Sequence, residues 1–571
     1  MAKKNARLSD KNLREAIDAY YENRGNRSEA ARYLGLSRTT YNDRLSQAED
    51  RLDLRVGKVA DGRELPTEMD SRPLPTKGKV RWYVCTCAQN NTRVVDGFRN
   101  LEALVRWLGK RPDTDVAELI VGTVTYNKNA YGHGLTQKGG NSLEDQELWY
   151  DPEVRPYLVE HDVLLAPGLV FAGRQNILPT RKFPLSNKAD LNGRLSNIVP
   201  HTKMHLESVP AMVDEATKLN LTTGAVTMRN YLRKDAGLVA EQEHTYGAAV
   251  IGVDSDGDWY PMHIELGRSG EVQWCGPDGY SAITVADGEV AAVRTGRVDN
   301  NSSVVEAINW GDTHAVELDL WVRELAFGEG GILDTLRPRV QFHNDLLSFR
   351  SRSHHEIKDF FRSYEKHAEG ADSVEDEVRV TADVLAYSER DWCETVVVPS
   401  NHDRHLERWV NEAEHRLDPL NARFWAECLL AKLEAIEEGL KDFSLMEWAL
   451  RKKGSIGPVR FLSEDESYVV AKQPRFPGVE CGLHGDLGPN GARGSTSNLL
   501  KLGRPINKGH DHIVTRRGLV MSAGGLPHSR RFPYMRGPNS HSIALITTFK
   551  NGARSHIIMW NYKWRPFGSP R

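Results

Sequence analysis

Apolar residues recur at three-to-four spacing across residues 8–52: Leu13, Ile17, Tyr20 and Tyr21, then Ala30, Ala31 and Leu34, then Leu36, Tyr41 and Leu45. That period gathers them on one side of a helix, so the pattern predicts three short amphipathic helices. Ser28 and Ser37 stand where N-caps belong, and Gly35 marks the last break. The rhythm then stops. Residues 56–78 are rich in Pro, Gly and charge, the composition of a linker. From 79 to about 300, strand-like runs (VRWYVCTC, AELIVGTVTY, YGAAVIGV, WYPMHIEL) alternate with helical ones such as 101–108, which predicts an α/β or α+β unit. Residues 356–441 read as acid-rich helices, at 355–369, 404–416 and 421–439. The chain closes on the strand-like runs IALITTF and SHIIMWNY.

The stretch NRSEAARYLGLSRTTYNDRL resembles bacterial and phage helix-turn-helix segments. In that resemblance the helix at 38–45 enters the DNA major groove, with Arg38, Thr39, Thr40, Asn42 and Arg44 as its exposed readers. The competing reading is a docking or oligomerisation bundle, because a helix-turn-helix does not by itself fix function.

Composition narrows the classes. With 571 residues, 39% hydrophobic, the chain has ample material for large soluble cores. A net charge of −3 excludes a uniformly basic nucleic-acid coat, so polyanion binding must come from local asymmetry. Two segments offer it. Residues 171–205 carry Arg174, Arg181, Lys182, Lys188, Arg194 and Lys203 against Asp190 alone, either a solvated loop or a phosphate-tracking strip. Residues 515–571 hold ten Lys/Arg and no acid, interleaved with Trp560, Tyr562 and Trp564, which suits polyphosphate with stacked bases unless these are core strands facing the acidic helices. No run approaches 18 apolar residues and the start MAKKNARLSD lacks a signal-peptide core, so a cytoplasmic protein with no membrane contact is expected. The six Cys have no CxxC spacing, which predicts reduced buried thiols rather than disulfides or a thiolate zinc site.

Histidine carries the chemistry. Five polar clusters occur in order, mostly after strand-like runs: GDTH (Asp312, His314), HND (Asp345), NHD (Asn401, His402, Asp403), HGD (His484) and GHDH (His510, His512). Residues leaving strand ends gather at one sheet edge, and mixed carboxylate, imidazole and amide ligands suit Mn²⁺, Fe²⁺ or Zn²⁺. A carboxylate shared by two ions permits a two-metal clamp on phosphate.

The order DxH, Asp, NH[DE], H, GHxH resembles the calcineurin-like metallophosphoesterase superfamily over roughly 304–512. The resemblance implies a β-sandwich flanked by helices. It implies that Asp312, His314 and His512 hold one ion, that Asp345 bridges, and that Asn401, His484 and His510 hold the other. A metal-bound hydroxide would attack, His402 would protonate the leaving oxygen, and Asp403 would orient His402. Two departures stand out. HNDLLSF replaces the usual Gly-Asp motif, leaving His343 or Asn344 as further ligands, and Ser400 replaces a Gly. His354 and His355 could reach substrate, and Asp319, Asp486, Asp511, His405 and Arg404 are second-tier partners or structural groups.

The resulting division is a helix-turn-helix arm at 1–55, a linker at 56–78, an α/β accessory domain at 79–303 and a metallophosphoesterase domain at 304–571, with a helical insertion at about 404–452 and a basic segment at 515–571. NHDRHLERW, HNDLLSF with the nearby His pair, and the long segment ahead of GDTH resemble phage-encoded nucleases of this superfamily that degrade host DNA. That resemblance implies a DNase needing two divalent ions, Mn²⁺ foremost with Fe, Zn or Mg as alternatives, with DNA as partner and room for a homo-oligomer. Two other classes stay open: a phosphatase or small-molecule phosphodiesterase, and a DNA-binding regulator with a vestigial metal site.

Overall fold

A computed structural model describes residues 8–22, 27–52, 69–126, 149–212, 215–275, 281–295, 304–356, 358–474, 476–532, 535 and 537–559. The amino-terminal pattern folds as three helices, Asp10–Glu22, Arg27–Tyr33 and Arg38–Leu52. Leu13, Ala16, Ile17, Ala30, Tyr41 and Leu45 form their shared core. Ser37 does cap the third helix, its hydroxyl accepting from Thr40 N at 3.1 Å. Ser28 does not cap the second, because that helix already begins at Arg27. Gly35 takes φ 64°, a left-handed turn that glycine enters without a Cβ penalty.

Beyond the arm the described residues form a mixed α+β protein of four sheets. The alternating runs at 79–300 build a five-stranded sheet around the strands Val80–Gln89 and Thr114–Val124, which are parallel. Their crossover is the helix Gly97–Gly109, whose buried Phe98, Leu101, Leu104 and Leu108 repeat at helical spacing and cover the sheet. A six-stranded sheet follows in the order Arg460–Phe461, Glu394–Val397, Val340–His343, Val305–Trp310, Ala544–Phe549, Arg554–Ile558. Its first four strands are mutually parallel. One face packs on the helices Leu320–Phe327 and Ile332–Leu336 through Trp310, Phe327 and Leu333. The other face meets a second sheet through Ala307, Phe342, Val396, Val470 and Val479. The expected two-sheet core flanked by helices is present.

That second sheet corrects the expected boundaries. It has eleven strands and runs through both halves of the chain, because His205–Val209 pairs antiparallel with Val514–Arg517. Residue 303 therefore does not divide one sheet system from another. The linker is also shorter than expected, since Asp70–Ser71 is an edge strand paired with Val163 and Leu164. The helical insertion is larger. Val374–Ser388 packs with His405–Glu412, Ala422–Glu437 and Leu445–Lys453 around Leu385, Trp409, Phe424 and Leu450.

The basic segments are partly taken up by the fold. In 171–205, Arg174 binds Asp162, Arg194 binds Glu215, and Lys203, 1% exposed, binds Glu243. In 515–559, Arg516 pairs with Glu265, Arg517 with Glu207 and Arg531 with Asp319, while buried Arg554 donates to Ile506 O and Asn507 Oδ1. Six of these cations balance acids the segments do not themselves contain, and Lys203, Arg516 and Arg554 are buried, so part of the charge read as phosphate-binding is taken up inside the fold. Trp560, Tyr562 and Trp564 lie outside the described residues. All six Cys are buried and unpaired, and among the described residues no helix is long and apolar enough to cross a membrane.

Candidate metal centre

The polar clusters leave the carboxyl ends of parallel strands and converge. Asp312 and His314 follow Val305–Trp310, Asp345 follows Val340–His343, and Asn401 to Asp403 follow Glu394–Val397. The second sheet supplies His484 after Val479–Glu480, and His510 and His512 after Ile506–Lys508. His314, Asp345, His484, His510 and His512 come from four different loops, yet three of those loops hold four of these residues in the left-handed region: His314 at φ 39°, Asp345 at 41°, His510 at 74° and His512 at 53°. Non-glycine residues rarely sit there, and such backbone strain persists where the surroundings over-determine it. Gly509 is needed for contact, not for φ: a Cβ on it would come within 2.2 Å of Asp312 Oδ1.

Two overlapping triads result, His314–Asp345–His512 and Asp312–Asp345–His484, with every member buried. Asp345 Oδ2 lies 3.6 Å from His314 Nε2 and its Oδ1 lies 3.3 Å from His484 Nε2. His512 Nε2 is 3.3 Å from Asp312 Oδ2 and 3.1 Å from His314 Nε2. Two imidazole nitrogens that close can share at most one proton, so at least one of the two carries a lone pair. Among the described residues, Asp312 Oδ2, both oxygens of Asp345 and Nε2 of His484 have no hydrogen-bond partner. Buried polar atoms without partners are costly. Their donor set, two carboxylates and three imidazoles around a shared carboxylate, fits two divalent cations.

The electrostatics express the same frustration. Burial pushes Asp312 up to about 7, and neighbouring Asp345 adds to the shift. For Asp345 burial also pushes upward, but His484, His402 and His314 outweigh it and hold the carboxyl well below its usual range. Burial opposes charge on His484, yet the Asp345 and Asp312 carboxylates raise it to about 9. Burial lowers His314 to about 3, and takes His512 well below its ordinary value.

Asn401 and His510 stand beside the triads, bonded to each other through Asn401 Oδ1 and His510 Nδ1 at 3.1 Å. Asn344 is not aimed as a ligand. Its Oδ1 lies 3.4 Å from His484 Nδ1, which orients that ring with Nε2 toward Asp345. His343 is a satisfied core group, with Ser388 Oγ at 3.1 Å and Thr313 Oγ1 at 3.4 Å. His402 lines a cavity of about 910 Å³ that also exposes Asp345, Asn401, His510 and His512.

One expected role is corrected. Asp403 does not bond to His402. The His402 Nδ1 is held by Ser348 O at 2.9 Å, while the Asp403 carboxylate accepts from Leu347 N at 3.0 Å and Ser400 Oγ at 2.8 Å. Asp403, raised to about 6 first by burial and then by Asp345, thus positions His402 through the loop that carries Ser348. Of the other partners, Asp486 pairs with Arg404, Asp511 with Lys508, and Asp319 with Arg531. Sequence reasoning missed Ser348, whose backbone carbonyl has no side-chain signature. It also missed Phe532, which packs 5.0 Å from both His314 and His512. In the arm, Arg38, Thr39 and Thr40 are exposed as expected, but Asn42 and Arg44 are half-buried, Asn42 accepting from Arg27 at 3.5 Å.

Fold and site define an α+β protein with a histidine–carboxylate cluster gathered at the strand ends of a two-sheet core. Residues 13–65 match the PucR C-terminal helix-turn-helix domain. Over 493 residues the chain is 31% identical to Protein A1 of Escherichia phage T5, which takes in 84% of this chain and 82% of that protein. The chain belongs to the family of that phage protein. No solved structure matches it.

Proposed function

We propose that this chain is a divalent-metal-dependent phosphodiesterase of the metallophosphoesterase kind that hydrolyses DNA, and that it is phage-encoded like its T5 relative. The observation that carries the reading is Asp345, a buried carboxylate shared by two triads whose acceptor atoms lack partners. His314 and His512 would hold one ion and His484, Asn401 and His510 the other, with Asp345 between them, and Asp312, within reach of both His512 and His484, on the side of the first ion as the resemblance implies. Such ions, Mn²⁺ foremost, neutralise phosphate oxygens and acidify water. The chain itself supplies the proton. The Ser348 carbonyl accepts from His402 Nδ1, which leaves Nε2 to deliver a proton to the leaving oxygen. The amino-terminal arm supports DNA as substrate, with Arg38 and Thr39 available to it.

The internal pairing of the basic segments favours a second reading, a small-molecule phosphodiesterase or phosphatase for which the flanks are architecture. A DNA-binding regulator with a vestigial site fits less well, because a vestigial site has no reason to keep buried ligands converged. Digestion of linear and closed circular DNA across Mn²⁺, Mg²⁺, Zn²⁺ and Fe²⁺, beside bis-p-nitrophenyl phosphate, separates the three. DNA cut in Mn²⁺ supports the nuclease. Ester hydrolysis with DNA intact at every ion selects the small-substrate reading, and no turnover on either leaves the regulator.

A further inference from the structure

The helix Phe360–Ala368 carries three large aromatic side chains in solvent: Phe360 is 73% exposed, Phe361 76% and Tyr364 63%. They form one patch, with Phe360 5.8 Å from Phe361 and stacked 6.4 Å from Tyr364. Single exposed apolar residues are ordinary, but a contiguous aromatic patch marks a binding surface. Its location is informative. Asp359 caps the helix by accepting from Phe361 N and Arg362 N, and Asp359 and Arg362 line the same cavity as His402 and Asp345.

The wall between is made of rings. His314 of the metal cluster packs 4.8 Å from His402, His402 lies 4.9 Å from His405, His405 4.7 Å from His354, and His354 3.8 Å from His355. His355 and His405 themselves line the cavity. A row of five imidazoles therefore leads from the reacting centre to the segment that begins the aromatic helix five residues after His355.

We propose that Phe360, Phe361 and Tyr364 are a stacking platform for unpaired bases of a single-stranded nucleic acid whose scissile phosphate lies at the metal cluster. The proposal rests on the phosphodiesterase reading above and names its substrate form. Every base presents a π-face, so stacking on aromatic rings is tolerant of sequence, and histidine serves as well as phenylalanine along the track. A duplex hides those faces in its own stack. The enzyme then prefers single strands, frayed ends or unwound segments to intact duplex. Arg493, exposed at the cavity, supplies positive charge for the backbone.

The test uses the full chain with Mn²⁺, a single-stranded oligonucleotide carrying 2-aminopurine, its duplex, and bis-p-nitrophenyl phosphate. Wild type should cut the single strand faster than the duplex and quench 2-aminopurine on binding. The triple variant Phe360→Ala, Phe361→Ala, Tyr364→Ala should lose about a hundredfold in kcat/KM on the single strand, together with the quench, as expected from about fivefold or more per stacked base. Ester hydrolysis should stay within about twofold, and Phe361→Trp should keep the quench. Equal cleavage and quenching by wild type and triple variant overturn the platform while leaving the nuclease reading intact. So does a triple variant whose sedimentation falls from oligomer to monomer with single-strand cleavage retained, which makes the face a contact between copies. A wild type that hydrolyses the ester but no oligonucleotide sinks the nuclease reading and the platform together.

Discussion

Lys203 and Asp345 are each 1% exposed, yet the fold treats them in opposite ways. Lys203 has Glu243 on its ammonium, and buried Lys218 nearby donates to the carbonyls of Ala189, Leu191 and Gly193. Asp345 has two oxygens without a hydrogen bond, next to imidazoles it meets only at ion-pair distance. A buried ion costs several kcal/mol unless paired and hydrogen-bonded. The amino-terminal region meets that condition within the chain. The strand-end cluster does not, and its deficit is of the kind cations relieve. Charge found in a sequence is thus weak evidence of binding until its internal partners are known.

The largest effect should come from removing the shared carboxylate. Asp345→Asn keeps a residue that tolerates φ 41°, so a loss cannot be assigned to the backbone. Metal content by mass spectrometry should fall by at least one ion per chain, and phosphodiester turnover by about a thousandfold or more. Retained turnover with full metal content would break the contrast. His402→Ala should lower turnover by about 10²- to 10⁴-fold while leaving both ions bound. Metal loss in that variant would mean His402 is a ligand.

A stability measurement probes buried histidines outside the cluster, in both halves of the chain. Burial lowers His201, His244 and His556 to about 3. Each stays neutral in the folded chain while its unfolded form takes up a proton near pH 6.5, so stability is full above that pH and declines as pH falls from 6.5 toward 3. Each contributes up to about 1.4 kcal/mol per pH unit across that window. Urea midpoints from pH 7 to 5 should drop steeply, and a flat profile would contradict the burial of these rings. The smallest change should be Arg531→Ala. Its pair with Asp319 is 56% exposed on the arginine side, so stability should shift by less than about 1 kcal/mol and the salt dependence of DNA affinity should not move.

What could be read from the sequence was local. The helix-turn-helix is legible from its helical period, and the histidine–carboxylate cluster from the order of its motifs and their place after strands, because a strand end fixes where the next residues emerge. Interactions over long separations left no such trace. Arg516 meets Glu265 across 251 positions, so at least this cation of what looks like a basic tail belongs to a strand and is held inside the fold. Ser348 acts through a carbonyl that every residue possesses. Phe532 looked like part of that tail but clamps two site imidazoles. Asp403 stands beside His402 in sequence, and adjacency suggested a bond that the loop 346–348 intercepts.

The strand His205–Val209 ends the argument for treating the two halves as separable. Ser208 Oγ donates to Val514 O at 2.7 Å, two residues past His512, and Thr217 Oγ1 donates to His541 O. A shift of the front half would tug the ligand loop through one shared peptide row. Substitutions far from any histidine can therefore shift the histidine–carboxylate cluster, and a fragment starting at residue 304 would inherit the His510–His512 loop with its neighbouring rung cut away.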